Sequence, residues 1–164
     1  MKSFHSAGLL LGSTMLAGAC TVTLDSQSQM AREEKRFTLS GTPSVHLTTF
    51  DGSIEIHSWD RSDVLVEIEK RGPTREAVEA LEVRTSQNGN TIELEVTRPQ
   101  GQSFTGFGFH ASASAKLIVS VPRRTDIRAR SGDGAIRIAR VDGRVELHTG
   151  DGSIRGEDVS GDLT

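Results

Sequence analysis

Two arginines, Arg137 and Arg155, stand eighteen positions apart at equivalent places of a repeated stretch of sequence. If the copies stack as neighbouring strands, the two guanidinium groups form an anion-binding face for lipid phosphates or anionic glycans, because guanidinium grips such groups through paired hydrogen bonds. The alternative is a solvated strand face whose arginines pair with nearby carboxylates. Those carboxylates would be Asp126, Glu146, Glu157 and Asp158.

Three aspartates that each precede a glycine, Asp133, Asp142 and Asp151, follow one another at nine-residue spacing. A ladder of such carboxylates is one way to bind Ca²⁺, as in nonapeptide rolls, but those rolls need a G-G-x-G-x-D pattern with several loop oxygens. Here each loop is shorter and offers one carboxylate. The spacing therefore favours Asp-Gly turns, and we predict no metal site.

The other reactive side chains form no recognisable catalytic or metal-binding pattern in the sequence. The histidines have no metal-ligand spacing and are predicted to lie on the surface, and no G-x-S-x-G nucleophile motif is present. We therefore predict no catalytic residue, no cofactor and no enzyme. A Gly-rich loop with three phenylalanines is either a membrane- or ligand-touching segment or, preferably, a hydrophobic plug. The histidines beyond the first nineteen residues are His46, His57, His110 and His148, and the phenylalanines of the loop are Phe104, Phe107 and Phe109.

The first nineteen residues have the pattern of an export signal. Lys2 precedes a small apolar stretch, 7–19, which is shorter than the roughly 20 residues that span a bilayer. Ala17-Gly18-Ala19 fits an ordinary cleavage site. Gly18-Ala19-Cys20 resembles the lipobox of bacterial lipoproteins, although Ala17 replaces the usual leucine. The position of Cys20, the only cysteine, favours lipidation there, and Thr21 after it then implies the outer membrane.

Composition limits the classes of protein. The chain has 164 residues, 19 Lys+Arg, 22 Asp+Glu and a net charge of −3, which suits one domain and argues against a nucleic-acid partner. Hydrophobic residues make up 35% and aromatics 4%, too few for a thick core, whereas 17 glycines suit many tight turns. A single cysteine excludes an intrachain disulfide.

Alternating polar and apolar residues predict short strands from Phe37 onward. The clearest predicted strands are 44–48, 54–57, 64–70, 91–96 and 115–121. A short helix is predicted over 75–81, where Ala77, Val78 and Leu81 have helical spacing.

The repeat determines the predicted architecture. Residues 131–146 align without a gap with 149–164, and an Asp-Gly pair recurs every nine residues between short apolar stretches. A fixed period of this kind indicates stacked coils joined by Gly turns around a slim aliphatic interior. We predict an all-β fold, a β-solenoid or β-roll-like stack with one short helix.

These residues resemble a known bacterial family. The run 150–163, the stretch Asp51-Gly52-Ser53-Ile54-Glu55-Ile56, the turn at Trp59-Asp60 and the strand 64–70 are similar to the "putative adhesin" β-strand-repeat domain of unknown function. The resemblance covers about 37–164. It implies an all-β, right-handed solenoid-like fold on the envelope side of a membrane, and it supplies no catalytic residues.

The predicted organisation is a signal peptide at 1–19, a tether at 20–36 and a β-strand-repeat domain at 37–164. The last residues begin a strand without a cap, so we expect a fragment or a coil covered by a partner. The predicted function is a non-catalytic, exported, lipid-anchored envelope scaffold or adhesion module with a polymer or protein partner. A β-solenoid enzyme acting on anionic envelope polysaccharide is the alternative. The predicted location is the periplasmic face of the outer membrane if Cys20 is lipidated, and otherwise the periplasm or exterior.

Overall fold

The computed structural model describes residues 28–98, 113–162 and 164. In these ranges the protein has eleven strands and one short helix, so the all-β prediction is confirmed. The strands are β1 (Gln29–Phe37), β2 (Ser44–Thr49), β3 (Ile54–Trp59), β4 (Val64–Gly72), β5 (Glu82–Asn88), β6 (Thr91–Thr97), β7 (Ser114–Pro122), β8 (Asp126–Ser131), β9 (Ile136–Ala139), β10 (Val145–Thr149) and β11 (Ile154–Glu157), and the helix is α1 (Arg75–Glu79).

The strands form two open sheets. Sheet A has the order β1-β4-β7-β3-β9-β11, and sheet B has the order β10-β8-β2-β6-β5. The chain passes from sheet B to sheet A four times, at β2–β3, β6–β7, β8–β9 and β10–β11, and we call each such strand pair a coil. Neighbouring coils pair in parallel in both sheets, whereas β1, β4 and β5 join by antiparallel pairing.

The eighteen-residue repeat stacks in register. Ile154 pairs with Ile136, and Ile136 pairs with Ile54, so equivalent residues of three coils lie side by side in sheet A. The order of the coils does not follow the chain, because β2–β3 lies between β6–β7 and β8–β9. Ile54 and Ile136 are fully buried, while Ile154 on the edge strand β11 is 49% exposed.

The core is a thin aliphatic layer between the two sheets. Alternate residues of each central strand point inward, as in β4, where even-numbered positions are buried. Phe37 is the one aromatic side chain in the buried core of the described residues. A core of Ile, Val and Leu explains how 4% aromatic residues suffice. The largest fully buried side chains are Leu47, Ile54, Ile68, Ile92, Leu94, Leu117, Ile136 and Ile138.

Hydroxyl groups and glycines build the corner between sheets B and A. Ser131 Oγ donates to the Gly52 carbonyl at 2.8 Å and accepts from the Gly134 amide at 2.9 Å. One coil further on, Thr149 Oγ1 donates to the Gly134 carbonyl at 2.8 Å and accepts from the Gly152 amide at 3.2 Å. A Cβ on Gly134 would come closer than 3.0 Å to the carbonyl of Gly52 in the neighbouring coil. A Cβ on Gly152 would come closer than 3.0 Å to the carbonyl of Gly134. The coils therefore approach too closely here for any side chain.

The predicted tether is wrong for residues 29–36, because β1 begins at Gln29 and pairs with β4 along its whole length. Two of the four inward-facing positions of β1, Glu33 and Lys35, carry charge, so the apolar alternation of the strand is interrupted. Lys70 on β4 is only 7% exposed, and its Nζ lies 2.6 Å from Glu33 Oε1 and 2.8 Å from the Leu81 carbonyl. An ion pair thus replaces an apolar contact at this edge.

The predicted short helix is confirmed, although it ends at Glu79. The α1 helix begins after Thr74, whose hydroxyl accepts from the Ala77 amide at 3.2 Å, and Val78 anchors it to the interior. The β5–β6 hairpin turns at Gly89, where φ is +59°, a conformation that suits glycine.

Candidate functional site

The two repeat arginines lie next to each other on the outer face of sheet A. Arg155 pairs in register with Arg137, and Arg137 pairs with Glu55 on β3. Arg137 Nη1 lies 3.2 Å from Glu55 Oε1, and Lys116 Nζ lies 2.9 Å from the other oxygen of that carboxylate. Arg155 is exposed and has no ion pair within the described part of the chain. The face therefore holds one cation that is partly neutralised beside one that is not.

Three of the four carboxylates expected to neutralise Arg137 and Arg155, namely Asp126, Glu146 and Asp158, serve other partners. Glu146 accepts from Arg128 at 2.9 Å and Arg130 at 3.2 Å on the outer face of sheet B. These hydrogen bonds, the one from Arg128 first, hold the pKa of Glu146 below its usual range.

The three aspartates of the nine-residue pattern do not form one ladder. Each coil has two corners, so Asp133 and Asp151 follow sheet B while Asp142 lies at the opposite corner, where it pairs with Arg124 and Ser160. A single Ca²⁺ ladder built from all three is thus ruled out by the topology. Among residues 28–98, 113–162 and 164, no group of three His, Cys, Asp or Glu side chains could hold a metal ion.

Asp142 instead ties successive coils together. It accepts a hydrogen bond from Ser160 and a second from Arg123 Nε at 2.9 Å. The hydroxyl of Ser160, followed by the guanidinium of Arg123, lowers the pKa of this carboxyl group. Arg123 also reaches Asp158 at 3.4 Å, so it links the ends of two coils.

A serine–histidine pair lies on the outer face of sheet A. Ser120 Oγ is 3.0 Å from His57 Nε2, an arrangement that resembles half of a nucleophilic triad. Ser120 is only 5% exposed, and no carboxylate is hydrogen-bonded to His57 in the described ranges. The two residues are 63 positions apart, and only the parallel pairing of β3 with β7 brings them together.

Trp59 forms a second cluster that the sequence did not reveal. Its Nε1 donates to the Asp63 carbonyl at 2.9 Å, which fixes the indole at the end of β3. The guanidinium carbons of Arg36 and Arg61 lie 5.9 and 5.0 Å from the ring centroid, within the range of cation–π attraction. Arg36 is held by Asp63 at 2.5 Å, and this contact raises its pKa.

Several predicted features lie outside the described residues. These are the signal at 1–19, the lipidation site Cys20, the phenylalanines Phe104, Phe107 and Phe109, and His110. Of the other histidines, His148 is exposed, and His46 Nδ1 lies 3.8 Å from Glu93. No helix in the part of the chain that the structure describes is long and apolar enough to cross a membrane.

Comparison with solved structures finds similar proteins, of which the following three have low sequence identity. A protein from Clostridium sporogenes described as a putative cell adhesion protein shares 14% identity with a TM-score of 0.47, covering 74% of this chain and 59% of that one. A putative lipid binding protein from Parabacteroides distasonis shares 10% identity with a TM-score of 0.37, covering 81% and 59%. A putative adhesin from Bacteroides fragilis shares 11% identity with a TM-score of 0.34, covering 81% and 60%.

The chain thus spans about three fifths of the length of these three structures. No curated protein matches it. The model of the Toastrack DUF4097 family matches residues 43–163, a range that includes every coil of the two sheets. The resemblance drawn from the Gly-Asp repeat to an uncharacterised, adhesin-like β-repeat family is therefore confirmed, and the chain belongs to the Toastrack DUF4097 family.

Proposed function

We propose that this protein is a non-catalytic, exported envelope module that binds an anionic polymer through the outer face of sheet A. The observation that carries the proposal is the in-register pair of Arg137 and Arg155 on neighbouring parallel strands. Adjacent parallel strands lie about 4.8 Å apart, so two guanidinium groups present their donors to one ligand.

The distribution of ion pairs supports this choice of face. On sheet B the outer arginines Arg128 and Arg130 both bind Glu146, so each of them already has a carboxylate partner. On sheet A, Arg155 is exposed without a carboxylate partner in the described ranges. An exposed cation without a carboxylate partner costs little free energy of folding, because water solvates it. It forms a charge-assisted hydrogen bond when an anionic ligand binds.

The proposal excludes turnover of the bound polymer. The competing function is a β-solenoid enzyme that acts on anionic envelope polysaccharide. The Ser120–His57 pair is the nearest approach to such machinery, but the buried hydroxyl of Ser120 offers a substrate no access. Incubation with polygalacturonate should release no unsaturated or shortened sugars, and their release would favour the enzyme.

We further propose export and a lipid anchor on Cys20, with the protein on the periplasmic face of the outer membrane. The sequence around Cys20 supports this, since a thioether to diacylglycerol needs a sulfur and the chain has one cysteine. Cells labelled with a palmitate analogue should incorporate it into the wild-type protein and not into Cys20→Ser. Equal labelling of both would contradict the anchor.

The proposed winding of the coils is right-handed. Crossovers between parallel strands of one sheet almost always have this hand, and β8 to β10 through β9 is such a crossover. An experimental structure with left-handed coils would refute this part of the proposal.

Binding itself is tested with immobilised polygalacturonate as the probe. Arg155→Gln should weaken binding about tenfold, because it removes a charge-assisted contact. Arg84→Gln on the outer face of sheet B is the matched control, as it removes one exposed arginine from the opposite surface. Equal affinity of all three proteins, or none for any, would overturn the proposed face.

A further inference from the structure

The carboxyl ends of three neighbouring strands bring three arginines to one edge of sheet A. Strands β7, β3 and β9 are adjacent and parallel, so they end at the same edge. Arg124 follows the end of β7, Arg61 follows the end of β3, and Arg140 follows the end of β9. We call these residues the arginine rim.

No ion pair among the described residues neutralises the arginine rim, although the charge of Arg124 contributes to the lowered pKa of Asp142. Arg61, Arg124 and Arg140 are all exposed, and none forms an ion pair within residues 28–98, 113–162 and 164. The other arginines of this edge differ, since Arg36 binds Asp63 and Arg123 binds Asp142. The contrast separates structural arginines from three that remain available to a ligand.

Trp59 lies in the middle of the arginine rim. It ends β3 and pairs in register with Pro122, the last residue of β7. The bond from Nε1 to the Asp63 carbonyl fixes the ring, and the guanidinium of Arg61 lies 5.0 Å from its centroid. A guanidinium stacked on an aromatic face keeps its N–H donors free and loses less conformational freedom on binding.

We propose that Trp59 and the arginine rim form a binding site for an acidic saccharide unit. The arginines supply paired donors for a carboxylate. The indole is half-buried and has Arg36 and Arg61 over its ring, and its remaining exposed apolar surface is offered to a sugar ring. A lipid phosphate would satisfy the arginines but makes no use of this exposed part of the indole. The acidic polysaccharide is therefore the ligand that uses the whole cluster.

This inference rests on the proposed function and extends it along the same sheet face. Glu55, the register partner of Arg137, precedes Trp59 by four residues, which is about 13 Å at the strand rise. An extended acidic polymer lying obliquely across the strands reaches both the Arg137–Arg155 pair and the arginine rim. The arginine rim then determines how tightly one end of the bound polymer segment is held.

The experiment uses the purified full chain and a polygalacturonate oligomer, with intrinsic fluorescence as the readout. Trp59 is the only tryptophan, so its emission reports on this site without a label. We expect a saturable change with the acidic oligomer and none with a neutral oligomer of equal length. Arg61→Gln with Arg140→Asn should weaken binding at least about tenfold, while Arg84→Gln stays at the wild-type value. Asn is chosen at 140 because φ is +58° there.

The outcomes separate this inference from the proposed function. If Arg155→Gln abolishes binding while the wild-type fluorescence stays constant, the proposed function stands and the rim site is wrong. If the acidic oligomer binds neither the wild-type protein nor any variant, both the proposed function and the rim site are wrong. If vesicles of anionic phospholipid or inorganic phosphate alone give the same fluorescence change at equal affinity, the saccharide assignment is overturned. Loss of binding in the double variant at unchanged Tm supports it.

Discussion

Replacement of Gly134 by alanine tests the close stacking of the coils. The new Cβ would lie 2.8 Å from Ser131 Oγ and closer than 3.0 Å to the carbonyl of Gly52 in the neighbouring coil. That carbonyl cannot turn away, because Ser131 Oγ donates to it and the Ile54 amide beside it bonds to the Ala135 carbonyl at 2.9 Å. Overpacking costs about 1–3 kcal/mol and each disrupted hydrogen bond about 1 kcal/mol, so we expect a loss of about 3 kcal/mol.

Urea and thermal unfolding measure this loss, with Gly156→Ala as the control. A Cβ on Gly156 would meet Val159 and Ile138 at 3.6 and 3.8 Å, which is ordinary contact. For a domain of this size, about 3 kcal/mol corresponds to a Tm lower by about 6–12 °C. If Gly134→Ala stays within about 0.5 kcal/mol of the wild type, or if Gly156→Ala is equally unstable, the reasoning about close stacking is refuted.

Three further changes probe the contacts that hold the coils and the edge strand. Ser131→Ala should lower the free energy of unfolding by about 1–3 kcal/mol in urea, because two buried backbone groups lose their partner; Ser131→Thr, the residue found at 149, should retain most of it. Lys70→Met should speed amide exchange along 29–37, since Glu33 loses its ion pair, and unchanged exchange would contradict that role. The lowered pKa of Glu146 contributes stability that is present above the ordinary glutamate pKa of about 4.3 and is lost as the pH falls through the folded-state value. Glu146→Gln should therefore flatten the acid limb of stability against pH, and an unchanged slope would oppose this assignment.

The candidate site was partly readable from the sequence. The spacing of Arg137 and Arg155 equals one repeat, so their adjacency follows from the period alone. The corner residues Ser131 and Thr149 each stand two residues before an Asp-Gly pair in the sequence. This pattern does not predict their hydrogen bonds to the neighbouring coil, because a hydroxyl next to glycine is common in any turn.

Two other features of the outer face could not be predicted from neighbouring residues in the sequence. Ser120 and His57 meet only because β3 pairs with β7, and the arginine rim combines residues from three separate connections. The error over β1 has a different origin. Glu33 and Lys35 occupy two of its four inward positions, and hydrophobic periodicity detects a strand only where the inward face is apolar.

The sequence by itself determined the strand periodicity, the Asp-Gly corners and the eighteen-residue coil, because these depend on the conformational preferences and spacing of nearby residues. Only the tertiary structure decided the order of the coils. The hydrogen bond from Ser131 to Gly52 joins residues 79 positions apart, and it forms because the β2–β3 coil inserts between β6–β7 and β8–β9. Coils with similar aliphatic interiors and glycine corners stack on one another in several orders, so the choice among them depends on packing over the whole core.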